Sequence, residues 1–540
     1  MMMKTYRIIL SMAFLVLLLS GINAFSANYY IDCSGGSDSG GGTSEQSPWL
    51  HHPYMVGFTG HYNHAAGDQF YFKGGVTCPN SYFPLTVANG GSNGSPDYYG
   101  PDPAQAWFTG SSWTRPIFDL QVMAVGSADN VIDLTTNAPS WVTIDNFEIK
   151  GFYWDGSGST CSFGMCNVIY AHSSGSNITL NHLYIHSWSH GSCTSGCDAG
   201  NIILGPNWAK GSNFSQGELT NVLQNSIIAC PVGDGPCDGH SGRAAYSWAI
   251  IHDSVMHDLS NGFVGVNYQF YNNLVYNINN SYDPLDHENA YEGWGADPTP
   301  VYIYNNVFHD TDTGVFAMDI NVPAFNGGGG SVYVFNNQMW NVNSSNGPVI
   351  ADDNCMGGTS CQPQTTSYYI WSNTLHGYNG TGQCLLIEGT GRGPADIGLI
   401  DYRNNHCMTT NSTGWNLATG ANPPNPSSPN VLMTPTTATQ QGYTATEAFV
   451  FSPASGCTPQ TCGTLQAGTT GPPAACSGAL LPLCDDTTYG VTVGPGNVTI
   501  SPARQPNQRS SSGLWDAGTY LYSTSSGPPN PPTALTAAVQ

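Results

Sequence analysis

Short apolar strands, each followed by a polar pair rich in asparagine, recur along this chain. The clearest copy reads Ile-Tyr-Asn-Asn-Val-Phe at residues 303–308, and its second asparagine recurs at steps of 33, 31, 36 and 32 residues in Asn273, Asn306, Asn337, Asn373 and Asn405. A nearly constant spacing in this range indicates stacked structural repeats. The apolar positions show no 3.6-residue period, so each repeat is predicted to be a coil of short strands and not a helix pair.

Stacked coils place equivalent side chains directly above one another. We therefore expect the repeated asparagines to form a ladder in which side-chain amides hydrogen-bond from coil to coil. A second short apolar strand follows the asparagine phrase in each repeat, for example at residues 262–265, 314–317, 348–351 and 383–387. The pattern predicts an all-β solenoid.

Composition changes along the chain divide it into five segments. Lys4 and Arg7, an apolar run over residues 8–19 and the small residues up to Ala24 are typical of a signal peptide spanning residues 1–24. Residues 28–128 are interpreted as an N-terminal cap with the first coils, 129–425 as the parallel β-helix and 430–523 as a C-terminal cap. Residues 524–540 are a Pro-rich tail.

The balance of charge excludes several kinds of partner. Charged residues make up only 9% of the chain, yet the formal net charge is −24. Such a surface repels nucleic acid and anionic lipid, and after the signal no segment is apolar enough to span a bilayer. We expect a secreted protein whose partner is a polysaccharide, with no nucleic-acid partner and no membrane insertion.

The 16 cysteines fit an oxidising compartment. Most lie close to another cysteine in sequence, which favours disulfide-stapled turns over metal ligation. The pairing that we expect joins Cys33 to Cys78, Cys161 to Cys166, Cys193 to Cys197, Cys230 to Cys237, Cys355 to Cys361, Cys384 to Cys407, Cys457 to Cys462 and Cys476 to Cys484.

Three features together resemble a known group of proteins. They are the Asn-Tyr-Tyr-Ile-Asp strand at residues 28–32 with its Gly/Ser/Asp-rich loop, the strand after Gly67 and Asp68, and the Tyr-Asn-Asn-Val-Phe-His coil at residues 304–309. Over residues 28–523 the chain is similar to secreted bacterial right-handed parallel β-helix proteins of the pectate-lyase-like superfold. The resemblance implies a right-handed solenoid with an N-terminal cap and a disulfide-stapled C-terminal cap. It implies no single chemistry, because that fold carries lyases, hydrolases, epimerases, adhesins and phage spikes.

Carboxylates end several of the second strands. Aligning these strands by sequence places Glu292, Asp319, Asp352 and Glu388 at one position, in a vertical line with about 4.8 Å between coils. Carboxylates on adjacent coils, about 5 Å apart, suit a retaining glycoside hydrolase, and those two coils apart suit an inverting one. We expect Glu292 and Asp319 to be the acid and nucleophile, with Asp352 and Glu388 as binding or alternative catalytic groups. A calcium site and simple solvation are the other interpretations of this column.

Other polar and aromatic residues surround the acids. His287 is a candidate to tune the carboxylates, and Asn289 and Trp294 lie within the same stretch. Arg243, at the end of a Gly-rich loop that is also interpretable as a disulfide-stapled turn, and Arg392 are candidates to bind sugar oxygens or a uronate.

The function predicted from the sequence is glycoside hydrolysis on a polysaccharide, with no cofactor required. One alternative is a Ca²⁺-assisted polysaccharide lyase on the same surface, which Arg243 or Arg392 would serve by neutralising a uronate. The chain's low content of Lys and Arg argues against that elimination chemistry. A second alternative is a non-enzymatic adhesin or structural fibre.

Overall fold

The fold is visible in a computed structural model of the chain. The structure describes residues 26–124, 130–154, 167–171, 174–190, 200–205, 218–235, 237, 242–279, 288–294, 300–318, 330–342, 347–352, 366–377, 381–388, 397–417, 429–443, 458–469, 476–488, 506–511 and 513–521. Three long sheets dominate it, with 12, 13 and 11 strands. They are called here sheet 1, sheet 2 and sheet 3.

Each full coil contributes one strand to each sheet in turn. The strands of sheet 1 are Asn28–Ile31, Gln69–Phe72, Asp97–Gly100, Val142–Asp145, Ile178–Asn181, Val222–Gln224, Ile250–His252, Gln269–Tyr271, Val301–Tyr304, Gly330–Phe335, Thr366–Trp371 and Ile397–Arg403. Those of sheet 2 are Thr77–Pro79, Ile117–Ala124, Glu148–Trp154, Tyr184–His186, Ile227–Ala229, Val255–Leu259, Leu274–Ile278, Val307–Thr311, Gln338–Val342, Thr374–His376, His406–Met408 and Val431–Met433, with Ser189–His190 pairing beside Glu148–Trp154. Those of sheet 3 are Leu85–Thr86, Asn130–Leu134, Asn167–Ala171, Asn201–Leu204, Arg243–Tyr246, Asn261–Gly265, Asn289–Trp294, Thr313–Met318, Val349–Asp352, Leu385–Glu388 and Trp415–Leu417.

Consecutive coils pair in parallel within each sheet, as the strands Val301–Tyr304, Val307–Thr311 and Thr313–Met318 show with their successors. Parallel crossovers of this kind are right-handed in nearly all proteins. The chain is therefore a right-handed parallel β-helix, and the fold class predicted from the repeats is confirmed.

The helical elements are few and short. An α-helix spans Pro435–Gln440 and is capped by Thr434, whose side chain accepts a hydrogen bond from the Thr437 backbone N–H. Three-residue-per-turn helices span Asn80–Tyr82, Glu218–Thr220 and Gly478–Cys484. Among the described residues, no helix has the length and apolar character needed to cross a membrane.

The core is a column of inward-facing apolar side chains from all three sheets. Ile303 of sheet 1, Phe308 of sheet 2 and Val315 of sheet 3 are fully buried within one coil. Side chains alternate between the two faces of a strand, so the neighbours of these residues point outward. Each buried aliphatic or aromatic side chain contributes about 1.5–3 kcal/mol, and the tower extends by adding coils, without thickening its core.

The predicted asparagine ladder is present at the turn from sheet 1 to sheet 2. The side-chain oxygen of Asn306 accepts from the backbone N–H and the side-chain amide of Asn273, at 2.9 and 3.2 Å. The same pair of bonds joins each following step, through Asn337, Asn373, Asn405 and Asn430. The residue before each rung, such as Asn305 with φ 56°, adopts the left-handed conformation that Asn tolerates well.

Histidine–aspartate pairs lie at the end of one strand of sheet 1 and within two strands of sheet 2. His252, His257 and His309 each bring their Nδ1 atom to the carboxylate of the next residue, at 2.6, 2.5 and 2.6 Å. Each of these aspartates has a positive φ, and an Asn of the following coil donates to it. Because the arrangement repeats with the coils, we interpret these histidines as structural; His257 and His309 lie in strands and not in the exit turns that the sequence pattern favoured.

The C-terminal segment, expected to be a cap, lies along the side of the tower where the structure describes it. Leu483 and Trp515 are buried against Tyr304, Phe335 and Trp371 on the outer face of sheet 1. Further bonds to the turns run from Thr488 to Asn272 and Asn305, and from Arg509 to Asn336. The described residues of 476–488, 506–511 and 513–521 therefore brace coils whose own residues lie between positions 272 and 404.

Four of the expected disulfides are present: Cys33–Cys78, Cys230–Cys237, Cys384–Cys407 and Cys476–Cys484. Cys462 is also disulfide-bonded, and the described part of the chain contains no free cysteine. The expected pairs within 161–166, 193–197 and 355–361, and the partner Cys457, lie outside the described residues. Disulfides thus cross-link both the first coils, through Cys33–Cys78, and the C-terminal segment, through Cys476–Cys484.

Candidate functional site

The candidate site is the outer face of sheet 3. Tyr291 points into the core, so the next residue, Glu292, points outward. On the three preceding coils the register partners of Glu292 are Leu204, Tyr246 and Val264, which also point outward. A second outward column lies at the start of the same strands, where Arg243, Asn261 and Asn289 follow one another.

Strand register divides the four acids that the sequence alignment placed in one column. Glu292 is paired with Phe316, whereas Asp352 is paired with Met318 on one side and with Glu388 on the other. The expected column of four is therefore wrong for Glu292, which lies two positions earlier on its strand. Asp352 and Glu388 do share one position on adjacent coils.

Several expected site residues lie outside the side chains that the structure describes. His287, Asp319 and Arg392 lie outside the described residues. The backbone of Trp294, Asp352 and Glu388 belongs to strands of sheet 3, but their side chains lie outside the described part. The proposed roles of these six residues stay predictions. The structure brings Asn289 and Glu292 into contact and places Arg243 on the same face.

Glu292 is a buried carboxylate on this face. Only 3% of its surface is exposed, and the Asn289 side-chain amide donates to its Oε2 at 2.7 Å. Removing a carboxylate from water is costly unless donors stabilise it, so this bond is one of the interactions that make the position tenable. Asn289 thereby positions Glu292 and fixes the orientation of its side chain.

Arg243 lies two coils before Glu292, about 9.6 Å away along the tower axis. Its guanidinium sits over the Tyr246 ring, with 5.8 Å between the guanidinium carbon and the ring centroid. This cation–π contact orients the arginine along the outer face. Arg243 and Glu292 thus lie on the same face of sheet 3 but belong to different coils.

The outer face of sheet 3 is covered in these coils. Leu204, Val264 and Glu292 point away from the core, yet each is at most 3% exposed. By contrast, Tyr302 and Tyr333 on the outer face of sheet 1 are half-buried. The outward side chains of this part of sheet 3 are therefore covered by other residues of the chain.

The described residues contain no group of three or more His, Cys, Asp or Glu side chains arranged so that they could hold a metal ion. The calcium interpretation of the acid column depends on side chains outside that part, so it stays a prediction. Oxygen ligands from several carboxylates would be needed.

Sequence reasoning missed a cluster of four ionisable side chains. It lies on the outer face of sheet 2 and joins His186 to Glu148 and Asp234, with Lys150 beside them. The members are separated by up to 86 residues, from Glu148 to Asp234, and form no motif. The only sequence signal was the isolated Lys150, one of the few lysines in the chain.

Comparison with known proteins gives distant structural similarity only. The chain is similar to a lacto-N-biosidase of glycoside hydrolase family 136 from Eubacterium ramulus, at 11% identity and TM-score 0.37, over 72% of this chain and 68% of that one. It is also similar to a rhamnogalacturonan lyase, at 15% identity and TM-score 0.32, over 79% and 91% of the two chains. A pectate lyase aligns at 15% identity and TM-score 0.31, over 85% and 96%.

No protein-family model matches the sequence, and no curated protein matches it either.

Proposed function

We propose that the chain is a secreted, polysaccharide-active enzyme that hydrolyses glycosidic bonds on the outer face of sheet 3. The observation that carries the proposal is the pairing of Asp352 with Glu388 on adjacent parallel strands. Register partners on such strands lie about 4.8 Å apart, which is close to the carboxylate separation of retaining glycoside hydrolases, about 5–5.5 Å. The expected signal peptide, the disulfides and the low content of charged residues support an exported protein that acts on a neutral glycan.

In this mechanism one carboxyl group of the pair donates a proton to the glycosidic oxygen while the other attacks the anomeric carbon. The bond to the leaving sugar breaks as the bond to the carboxylate forms. The first group, now a carboxylate, then takes a proton from water, and that water releases the sugar from the enzyme. Two like charges on adjacent coils favour one protonated and one ionised group, which is the state that the first step requires.

Glu292 and Arg243 are assigned to substrate binding in place of the acid–nucleophile role first expected for Glu292. Glu292 lies about 12 Å from Asp352, from two strand spacings across the sheet and two residues along it. That distance is too long for a pair acting on one bond. The 3% exposure of Glu292 suits a residue that supports the binding surface from beneath it. Asn289 holds the Glu292 carboxylate in place.

The test is activity on a panel of neutral and uronate-containing polysaccharides. Release of new reducing ends without ultraviolet absorbance from unsaturated sugars is expected for the wild-type protein. Asp352→Asn and Glu388→Gln should each lower kcat by about 10²–10⁴-fold, the usual contribution of a general acid or base. Glu292→Gln should mainly raise KM, and Glu45→Gln, at an exposed acid in the first coils, is the control. Unchanged kcat in both strand-end variants would contradict the proposal.

A lyase is the second candidate, and Arg243 on the same face is the observation that favours it. A guanidinium beside a uronate stabilises the charge that forms when the neighbouring proton is removed. Chelator-sensitive formation of unsaturated sugars, lost in Arg243→Gln, would support the lyase. Absence of any cleavage together with binding to a glycan would instead favour an adhesin.

A further inference from the structure

The outer face of sheet 2 carries a cluster that the proposed function does not use. His186 brings Nδ1 to Oδ2 of Asp234 at 2.8 Å and Nε2 to Oε1 of Glu148 at 3.3 Å. Lys150 donates to the same Glu148 oxygen at 2.9 Å, and the Ser187 hydroxyl donates to Asp234 at 2.8 Å. Only 9% of the His186 side chain is exposed.

The carboxylates around the ring favour one protonation state, although the Ser187 hydroxyl also lies 2.8 Å from Nδ1. A neutral imidazole has one N–H and can donate to only one of two carboxylates, leaving a lone pair facing the other. An imidazolium donates from both nitrogens. Because both ring nitrogens of His186 face carboxylate oxygens, the observed arrangement is that of a protonated ring held between two acids.

The surroundings of His186 favour the cationic ring. Burial by itself lowers the pKa of His186, but the hydrogen bonds to Asp234 and Glu148 outweigh burial and raise it. Burial opposes ionisation of the two acids, and their bonds to His186 nevertheless lower the pKa of each. The Tyr184 ring stacks on the imidazole at 3.9 Å, and the neighbouring residue of the next strand is Ala229. Arg115 lies near Glu148 and Tyr184 and completes the described ionisable groups around the ring.

One of the two acids belongs to a separate structural unit. Asp234 lies in the loop closed by the Cys230–Cys237 disulfide, called here the disulfide loop. Gly235 of this loop adopts φ 58° and approaches Ser187 so closely that a Cβ there would lie 3.2 Å from the Ser187 side chain. The chain then runs on to Arg243 at the candidate site. The His186–Asp234 bond is thus a contact between sheet 2 and the segment that leads into sheet 3.

We propose that protonated His186 is a pH-sensitive clamp that holds the disulfide loop closed on sheet 2. Loss of the ring proton removes one of the two hydrogen bonds and the attraction to both carboxylates, and the loop opens more often. The inference concerns the loop itself and stands whether or not sheet 3 is catalytic.

The direction of the pH effect follows from the raised pKa of His186. The contribution of the clamp is fully present below the ordinary histidine pKa of about 6.5 and is lost as pH rises through the higher folded-state value. The opening constant of the loop should rise by up to about tenfold per pH unit across that interval. Below about pH 4, protonation of Asp234 and Glu148 should also weaken the clamp, because a protonated carboxyl group attracts the imidazolium less.

Reduction of the disulfide reports loop opening. Cys230 and Cys237 are 0% and 7% exposed, so a phosphine reductant reaches their sulfurs only when the loop opens. The buried Cys33–Cys78 bond in the same molecule is the internal reference for the intrinsic effect of pH on the reagent. The measurement is the ratio of the two reduction rates from pH 5.5 to 9, by peptide mapping of the folded full chain.

The expected result is a rate ratio that rises with pH in the wild-type protein and that is already high and flat in His186→Gln. Asp234→Asn, which keeps the shape of the loop residue, should also raise the ratio at low pH and serves if the histidine variant folds poorly. His64→Gln, which removes a histidine bound by the single carboxylate of Asp97, should leave the profile unchanged. A flat wild-type ratio, or the same rise in His186→Gln, would overturn the proposal.

Discussion

The two halves of the tower are stabilised by different side-chain interactions although their backbones follow the same coil. In the later coils, the last outward position of sheet 1 is aromatic, and Tyr271, Tyr304 and Phe335 stack with 4.9 Å between ring centroids. In the earlier coils the equivalent position holds Asp145, Asn181, Gln224 and His252. The inner ladder differs in the same way, with Ser226 and Ser254 in place of asparagine.

The two halves differ in whether repeated side-chain columns or individual, unrepeated bonds stabilise the coils. The later half repeats aromatic side chains in one column and asparagine in another. Leu483 and Trp515 of the C-terminal segment cover it along one side. The earlier half has individual bonds that occur once, such as the hydrogen bond from the Tyr98 hydroxyl to Asp145 and the His186 cluster. Bonds that occur once, where a repeating column is broken, are therefore further places to look for regulation.

The largest effect is expected from loosening the C-terminal brace. Trp515 is 1% exposed and packs in the aromatic cluster, so Trp515→Ala should lower the free energy of unfolding by about 3–5 kcal/mol. The neighbouring Leu514 is 50% exposed, and Leu514→Ala should change it by less than about 0.5 kcal/mol. Urea denaturation of both variants measures the effect. Equal midpoints would show that the later half does not depend on the brace.

A smaller effect is expected at the ladder itself. Asn337 is fully buried and its amide bonds to Asn306, Ile303 and Asn373, so Asn337→Ala should cost roughly 3 kcal/mol by leaving buried partners unsatisfied. Ser254→Ala removes two bonds of the earlier half and should cost about 1 kcal/mol. Equal shifts of the urea midpoint in Asn337→Ala and Ser254→Ala would contradict the view that the ladder stabilises the later half more than the earlier half.

Acid should affect the earlier half through Glu148. Burial opposes its ionisation, but the bonds to His186 and Lys150 lower the pKa of Glu148 to about 2. A lowered folded-state pKa stabilises the protein above the ordinary value of about 4.5, and that stability is lost as pH falls toward 2. Allowing for solvent screening, the contribution is on the order of 2 kcal/mol. Glu148→Gln should flatten the acid limb of the stability curve between pH 5 and 2, whereas Asn337→Ala should leave its shape intact.

The smallest effect is expected for Lys150. Its ammonium group and Glu148 are both partly exposed, so Lys150→Met should cost about 1 kcal/mol or less, and 1 M NaCl should reduce that difference. The neutral ladder should show no comparable salt effect. A salt-insensitive loss in Lys150→Met would mean that packing of its aliphatic stem, and not its charge, is what matters.

Most of the fold could be predicted because a solenoid converts sequence repetition into spatial repetition. The spacing of Asn273, Asn306 and Asn337 indicated both the coil and the ladder, and Cys230 and Cys237 are close enough in sequence to indicate their own bond. The candidate site could be predicted only in part. Alignment by sequence correctly paired Asp352 with Glu388 but displaced Glu292 by two positions, since coil lengths differ and the residues between strands hide the register.

The sequence by itself determined what neighbouring coils repeat: an all-β tower, its ladder and its close disulfides. Only the tertiary structure decided which face Glu292 occupies, that Leu483 and Trp515 lie against sheet 1, and that His186 meets Glu148 and Asp234. The physical reason is that contacts between successive coils join like residues, which recur in the sequence at a nearly constant spacing. A contact that occurs once, between unlike residues dozens of positions apart, produces no repeat in the sequence. It therefore cannot be predicted from the spacing and forms only when the coils stack.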